Sequence, residues 1–318
     1  MRDRIGQTRR PRPPGVLCRS LLCSSVLCLS LPGWSGPARA QSATTTIGGQ
    51  SITIPGSGFF AGVGGGLTGV NFGHQSLYAI GTSRDYKNGM VVSAGTAAGP
   101  GGADPATAIT ASPEIRLGYY AHIGASHWIW GVRASYQELL ANETLTDVGI
   151  PQSGVIAYAG LRTLQPFTGI AVVQTYRVQA DSRFAAMPFI GRDIGPGFLY
   201  LGLGGSMTHA TTAMDGLVGY ATVNGQTQNV SGAPQNFSSA GWVMGAGITL
   251  GGTVFLTHDW FLDIAYRFDE TAAQVGRYIS SFTNSSTNPG ITTVGNLYGQ
   301  SSERIITNGV TVTINRKF

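Results

Sequence analysis

Cysteine occurs only near the start of this 318-residue chain, as Cys18, Cys23 and Cys28. Beyond residue 40 there is therefore no disulfide, thiol chemistry or zinc–thiolate site. Charge is scarce too. Asp, Glu, Lys and Arg make up 11% of the residues, against roughly 25% in soluble domains. No run of about eighteen apolar residues follows residue 40, which excludes helical membrane spans. The five histidines form no pair with Asp or Glu at ligand spacing, so neither a metal nor a cofactor is expected.

A large share of the positive charge sits at the N-terminus. Arg2, Arg4, Arg9, Arg10 and Arg12 form a basic region closed by Arg19. Leu21 to Leu31 is apolar but too short to span a bilayer, and Ala38-Arg39-Ala40 places small residues where a signal peptidase reads them. Residues 1–40 are expected to be a cleaved export signal, with Gln41 the first mature residue. Arg9-Arg10 lacks the apolar continuation of a twin-arginine signal, and Cys28 lacks the small residue that precedes a lipoprotein cysteine. Seven of the 20 basic and one of the 15 acidic residues leave with that segment. Thirteen basic and fourteen acidic residues remain, a balance of −1, so the pI of 9.2 describes no nucleic-acid surface.

Glycine, at 47 residues, is about twice its usual ~7%. With low charge and export, that suits a chain whose apolar residues fall at alternate positions. A barrel in hydrocarbon satisfies all its backbone polar groups, so each strand alternates lipid-facing and lumen-facing residues over about ten positions. The period-2 pattern recurs along the chain. At the C-terminus Val310, Val312, Ile314 and Phe318 share one face, and Thr311, Thr313, Asn315 and Lys317 the other. From residue 260 on, Trp260, Leu262, Ile264, Tyr266 and Phe268 oppose Asp263, Arg267 and Asp269. Segment 114–123 sets Ile115, Leu117 and Tyr119 against Glu114, Arg116, Tyr120 and His122; segment 128–137 sets Trp128, Trp130, Val132 and Tyr136 against Arg133, Ser135 and Gln137. Segments 59–67, 184–191, 199–207 and 242–250 complete a set of eight.

The connections supply the topology. Short links at 124–127, 193–197 and 257–259 alternate with long ones at about 68–112, 138–182, 208–240 and 270–302. That rhythm predicts an all-β, transmembrane up-and-down antiparallel β-barrel of eight strands over residues 59–318, after a lead segment at 41–58. The four long links, rich in Gly, Ser, Thr and Asn, read as flexible extracellular loops. Within them, Asn224-Gly225 has the chemistry of a hairpin turn and 169–180 extends a strand outward. Ten or more strands, or a soluble β-sandwich, are the alternatives. Trp128, Trp130, Trp260 and Tyr266 are placed as interfacial aromatics.

Glu114, Arg116, Arg133, Asp263 and Arg267 all project inward by register. An eight-strand interior is just wide enough for side chains to fill, and confined charges need partners. They read as a salt-bridge plug, with a narrow gated ion path as the alternative. The cluster Gly62-Val-Gly-Gly-Gly66 lacks the strand–loop–helix setting of a phosphate loop and reads as barrel wall. Ser206, His209 and Asp215 can be imagined as a triad, but Ser206 and His209 have opposite parity, and no catalytic residue is assigned.

FFAGVGGGLTG opening the first strand, the hairpin rhythm and the terminal VTVTINRKF together resemble the small outer-membrane barrel family. Its members include opacity-like and OmpA-type barrel domains and the alphaproteobacterial surface proteins often filed as a porin family. The resemblance covers residues 59–318. It implies residence in a bacterial outer membrane among lipid and lipopolysaccharide, and delivery by the barrel-assembly machinery. It implies that Phe318, Ile314, Val312 and Val310 form the terminal assembly signal, with Arg316 at a position that is usually apolar or aromatic. The expected role is a non-enzymatic barrel for envelope integrity and surface interaction, with an unknown surface ligand and no nucleic-acid partner. A small diffusion pore and an outer-membrane lipid-modifying enzyme are the alternatives. Deleting Phe318 is expected to abolish efficient membrane assembly. Quantified surface-exposed protein checks this, and undiminished levels would refute it.

Overall fold

The alternation read from the sequence runs much further along the chain than eight ten-residue segments. A computed structural model describes residues 44–47, 50–53, 56–223, 225–285 and 290–318, and the expected signal at 1–40 lies outside them. In the lead segment, β1 (Thr44–Ile47) and β2 (Gln50–Thr53) form a small hairpin. Thirteen further strands belong to one antiparallel sheet. They are β3 (Ser57–Asn71), β4 (Gln75–Lys87), β5 (Met90–Ala103), β6 (Thr107–His122), β7 (Trp128–Tyr158), β8 (Gln165–Asp193) and β9 (Gly197–Val223). After them come β10 (Gln226–Asn229), β11 (Gln235–Phe255), β12 (Trp260–Thr271), β13 (Gln274–Asn284), β14 (Ile291–Glu303) and β15 (Ile306–Lys317).

Eight of these strands close into a ring in the order β3, β6, β7, β8, β9, β11, β12, β15 and back to β3. This is the eight-stranded antiparallel barrel expected from the sequence. Its stagger follows from the register. From Trp260 on β12, paired residues run through Arg316, Ala61, Leu117, Ala134, Ala186, Gly205 and Ala246, and return to β12 at Glu270, ten residues on. With ~3.3 Å per residue and ~4.8 Å between strands, that offset tilts the strands by about 40°.

The three short links close the lower end of the ring with local hydrogen bonds. The Ser126 hydroxyl donates to the Ile123 carbonyl (2.7 Å). Asp193 Oδ1 accepts from the amide of Gly195 (2.8 Å), whose φ of 97° suits glycine. Thr257 Oγ1 accepts from the amide of Trp260 (3.1 Å).

In the ring, apolar side chains point outward. On β9, Leu199, Leu201 and Leu203 are about half-exposed or more. Climbing from there to His209 gains about 25 Å at ~3.3 Å per residue and the ~40° tilt. Trp128, Trp130 and Trp260 ring the lower edge with Phe59, Tyr119 and Phe318. Tyr266, placed with them in the sequence reading, sits mid-belt between Leu250 and Val310, six residues along β12 from Trp260.

Above the ring the polarity inverts. On β7 the inward set changes from Arg133, Ser135 and Gln137 to Leu139, Ala141, Val148 and Ile150, all buried, while Asn142, Thr144 and Thr146 face out. On β8 it changes from Arg183 to Ala180, Val178, Tyr176 and Val173. Register shifts fall at that height, between Glu138 and Ala141 and between Ala180 and Ser182. Such bulges twist the strand and break its phase.

The long links expected as flexible loops are therefore a second storey of wall. The β4–β5 hairpin pairs with β14 and with residues 153–158 of β7, and β13 pairs with β14. Together with the upper halves of β7, β8 and β9 they continue the cylinder. Their low charge and many small polar residues mimic loops because one face meets solvent, while the other mixes glycine and alanine with larger residues such as Leu77, Phe282 and Leu297. One seam is unladdered among the described residues. Above Met244, β11 meets β13 through side chains, with Phe237 against Tyr278 (ring centroids 5.5 Å apart) and the Ser280 hydroxyl donating to Gln235 Oε1 (2.7 Å).

Residues 159–164, between β7 and β8, are exposed throughout. Trypsin should cut the folded protein after Arg162 well before Arg84, Arg177 or Arg277, which lie in strands. Mass spectrometry of the first fragments checks this; early cuts after Arg84, Arg177 or Arg277 would contradict a strand-built storey.

Candidate functional site: the packed lumen

Three tiers fill the ring from below. The lowest is aromatic. Phe60, Tyr120, Phe189, Phe198, Phe255 and Phe261 are buried together, with centroid separations such as 5.4 Å for Phe60–Phe261 and 5.6 Å for Tyr120–Phe198. The Phe60 and Phe189 rings lie over Gly118 and Gly131, whose missing side chains make room for them. At the base the Gly56 carbonyl accepts from the His122 amide (3.0 Å), and its oxygen lies 3.0 Å from His122 Nδ1.

The second tier is ionic. Arg116 Nε and Nη2 both donate to Glu114 Oε1 (2.9 and 2.8 Å), and Nη1 donates to Asp263 Oδ1. Arg133 donates from Nη1 to the Tyr200 hydroxyl (2.5 Å) and from Nη2 to Thr249. Its guanidinium lies 4.8 Å from the Tyr200 ring centroid. The Tyr200 hydroxyl lies 2.8 and 3.0 Å from the two Asp263 oxygens and donates to that carboxylate. Asp263 is thus the acceptor shared by β6 and β9, and Arg133 approaches it to 3.9 Å.

The third tier centres on Asp269. Arg267 grips it with Nε and Nη2 (2.6 and 2.9 Å) and reaches Ser135 Oγ with Nη1 (3.1 Å). Arg183 Nη1 donates to the same carboxylate (2.8 Å) and to Thr307, while Nη2 donates to Gln137. Gln137 in turn donates to Thr68 Oγ1 (3.1 Å). All these charged side chains are nearly inaccessible, at 7% exposure or less.

The structure thus brings Glu114, Arg116, Arg133 and Asp263 into one tier, places Arg267 in the next with Asp269, and adds Arg183 and Tyr200. Arg183 escapes the sequence pattern because the alternation is legible only from Phe184 on, just below the β8 bulge. Tyr200 stood in a weakly patterned segment, although its parity against Leu199 and Leu201 points inward. In these two tiers four arginines face three carboxylates, and a further buried carboxylate, Asp193, lies at the base of the ring, 3.8 Å from His122 Nε2. Among the described residues no group of His, Cys, Asp and Glu suits a metal. The imagined triad is split across the wall. Ser206 is buried on the inner face, whereas His209 lies outside against Asp181 Oδ2 (2.9 Å) and Trp242, and Asp215 faces Arg177. Gly62, Gly64 and Gly66 line the wall against Asn315, Thr313 and Thr311 of β15.

Above the ring, Glu303 is buried with one hydroxyl donor, Thr212 Oγ1 (2.6 Å), and no paired cation among the described residues. Burial pushes its carboxyl above the ordinary glutamate range, against a smaller lowering by the Thr212 bond.

No family model matches this chain, and no curated protein sequence does. Solved structures similar to it include the attachment invasion locus protein Ail of Yersinia pestis, at 13% identity over 73% of this chain and 99% of that one, with a TM-score of 0.24. Neisserial surface protein A shares 11% identity over 77% of this chain and 97% of its own, with a TM-score of 0.26. The outer membrane protein OprG of Pseudomonas aeruginosa shares 12% over 83% and 98%, with a TM-score of 0.28. Likeness at these scores says nothing of ligand or activity.

Asp263→Ala leaves Arg116, Arg133 and Tyr200 without their shared acceptor. It should cost about 3–5 kcal/mol, as breaking a buried ion pair does, and Asp263→Asn should cost less. Urea midpoints followed by heat-modifiable gel migration measure both. For Glu303, a raised folded-state pKa stabilises the fold below the ordinary carboxyl range, near ~4.3, and that benefit is lost as pH rises through the folded value. Glu303→Gln should therefore raise the melting temperature at pH 8, with the gain fading toward pH 4. A gain that grew on acidification would reverse the assignment.

Proposed function

We propose that this protein is a non-enzymatic, non-conducting outer-membrane barrel that holds a strand-built storey at the cell surface and contributes to envelope integrity and surface interaction. The observation that carries the proposal is the pairing of an apolar exterior with a polar, side-chain-filled interior in the lower ring, inverted in the storey above. A soluble protein rarely exposes an apolar surface of that extent, whereas a membrane barrel needs a belt of about 25 Å between aromatic rims. Lipid and lipopolysaccharide would surround the belt. Arg304–Glu270 and His209–Asp181 then fall at its upper margin, where charge meets water again.

At the lower edge, Phe318 is the exposed terminal side chain that the assembly-signal reading requires. Its amide donates to the Phe59 carbonyl (2.8 Å), and Arg316 lies between the Phe318 and Trp260 rings, 5.5 and 5.9 Å from their centroids. Cation–π contact of this kind lets an arginine occupy an apolar rim.

Planar-bilayer recording tests the proposal. Wild type should show no steady conductance, and Arg267→Ala should raise it from that low level. Large, stable wild-type channels would favour a diffusion pore, in which losing an arginine alters selectivity instead. Ile264→Arg, on the belt, should cost about 2–4 kcal/mol when refolded into vesicles; a neutral effect would argue against a lipid-facing surface.

A further inference from the structure

The interior opens again above the packed tiers. Within the upper storey a cavity of about 380 Å³ opens among β4, β5, β7, β8, β9, β13 and β14. It narrows inward to a hollow of about 70 Å³ whose deeper walls include Leu217, Leu297 and Phe282. Below lie fully buried Leu77, Ile150 and Val173. The space has a specific origin in the sequence. Inward positions here hold Gly81, Gly95 and Gly219, and a Cβ on any of them would meet no atom nearer than 3.5 Å. Inward Gly118 and Gly131 of the ring lie beneath phenylalanine rings instead. In the storey, Gly295 and Gly154 are covered in the same way by Phe282 and Phe167, whereas Gly81, Gly95 and Gly219 are left uncovered.

The mouth mixes polar and apolar side chains and carries one sign of charge. Asp85 is the only charged side chain among the described residues lining either hollow. Thr293 Oγ1 donates to its Oδ1 (2.6 Å) and Ser93 Oγ to its Oδ2. These hydroxyls fix the carboxylate and leave part of its acceptor capacity free. No described cation pairs with it. Phe167, Val230 and Ala221 offer apolar surface inside the same mouth.

We propose that this cavity binds a small organic cation, a primary ammonium on a compact apolar body, with the ammonium on Asp85 and the body against Phe167 and Val230. An anion would bring its charge against Asp85. A neutral alcohol would keep the apolar contact and lose the charge-assisted hydrogen bond. Volume limits the ligand to about one ring and a short chain, at the small end of the usual pocket range of ~300–1,000 Å³.

Isothermal titration of the full mature chain in lipid nanodiscs, with empty nanodiscs subtracted, tests this using phenethylammonium, phenethyl alcohol and phenylacetate. The ammonium should bind saturably, the alcohol more weakly, and phenylacetate not at all. Asp85→Asn, which keeps the shape of the side chain, should weaken ammonium binding at least about tenfold, as loss of a charge-assisted hydrogen bond predicts. Gly95→Leu should fill the space and abolish binding of both ammonium and alcohol. Heat-modifiable migration identifies any variant that has not folded, and if Gly95→Leu fails there, wild type and Asp85→Asn still decide. No saturable ammonium binding, equal binding of phenylacetate, or an unchanged affinity in folded Asp85→Asn would each overturn the proposal.

Discussion

The ten-residue stagger of the closed backbone ladder is the constraint on which the rest of this structure depends. Once eight strands close with that offset, tilt and girth follow, and the interior is fixed at a width that side chains just span. Everything placed inside must fit that width. Phenylalanine rings fit where a neighbouring strand offers glycine. Arginines fit where a carboxylate lies across the lumen or two residues along the same strand, as Glu114 does for Arg116 and Asp269 for Arg267. Asp263 and Asp269 each tie strands that are not adjacent in the ladder, so the charges add cross-bracing that backbone hydrogen bonds cannot supply.

Ring strands were legible because period-2 alternation with the apolar side outward is a direct imprint of the surroundings. Segments at 114–123, 128–137, 260–268 and 310–318 carried it without ambiguity, and the short links at 124–127, 193–197 and 257–259 fell where the strands turn. The second storey was hidden for a physical reason. There the same alternation persists with its sign reversed, and bulges at 138–141 and 180–182 interrupt its phase. A reader following apolar-out residues loses the thread at Gln137 and Arg183. Small inward residues such as Gly81, Gly95 and Gly219 weaken the signal further, because they carry no hydrophobic mark.

The lumen charges show the same division. Positions one strand apart in parity could be assigned to the interior from sequence alone. Which acid meets which arginine could not, because the contacts join residues far apart in the chain. Arg116 and Asp263 are 147 positions apart, and Arg183 and Asp269 are 86. Only the register of the closed ring brings them together. Glu303 carries no mark in the sequence that sets it apart, yet the handover from storey to ring buries it.

The seam between β11 and β13 sets the mechanics of the two halves apart. The ring behaves as a welded hoop, since widening it anywhere ruptures consecutive backbone hydrogen bonds. The storey is a split collar, clasped among the described residues by side-chain contacts that include the Phe237 and Tyr278 rings, the Ser280 hydroxyl and Asn284 Nδ2 on the Asn229 carbonyl (3.4 Å). Its circumference can yield by a change of rotamer at the clasp while every ladder stays intact. Stiffness in this molecule is therefore graded along its axis, with the compliant end at the mouth of the cavity.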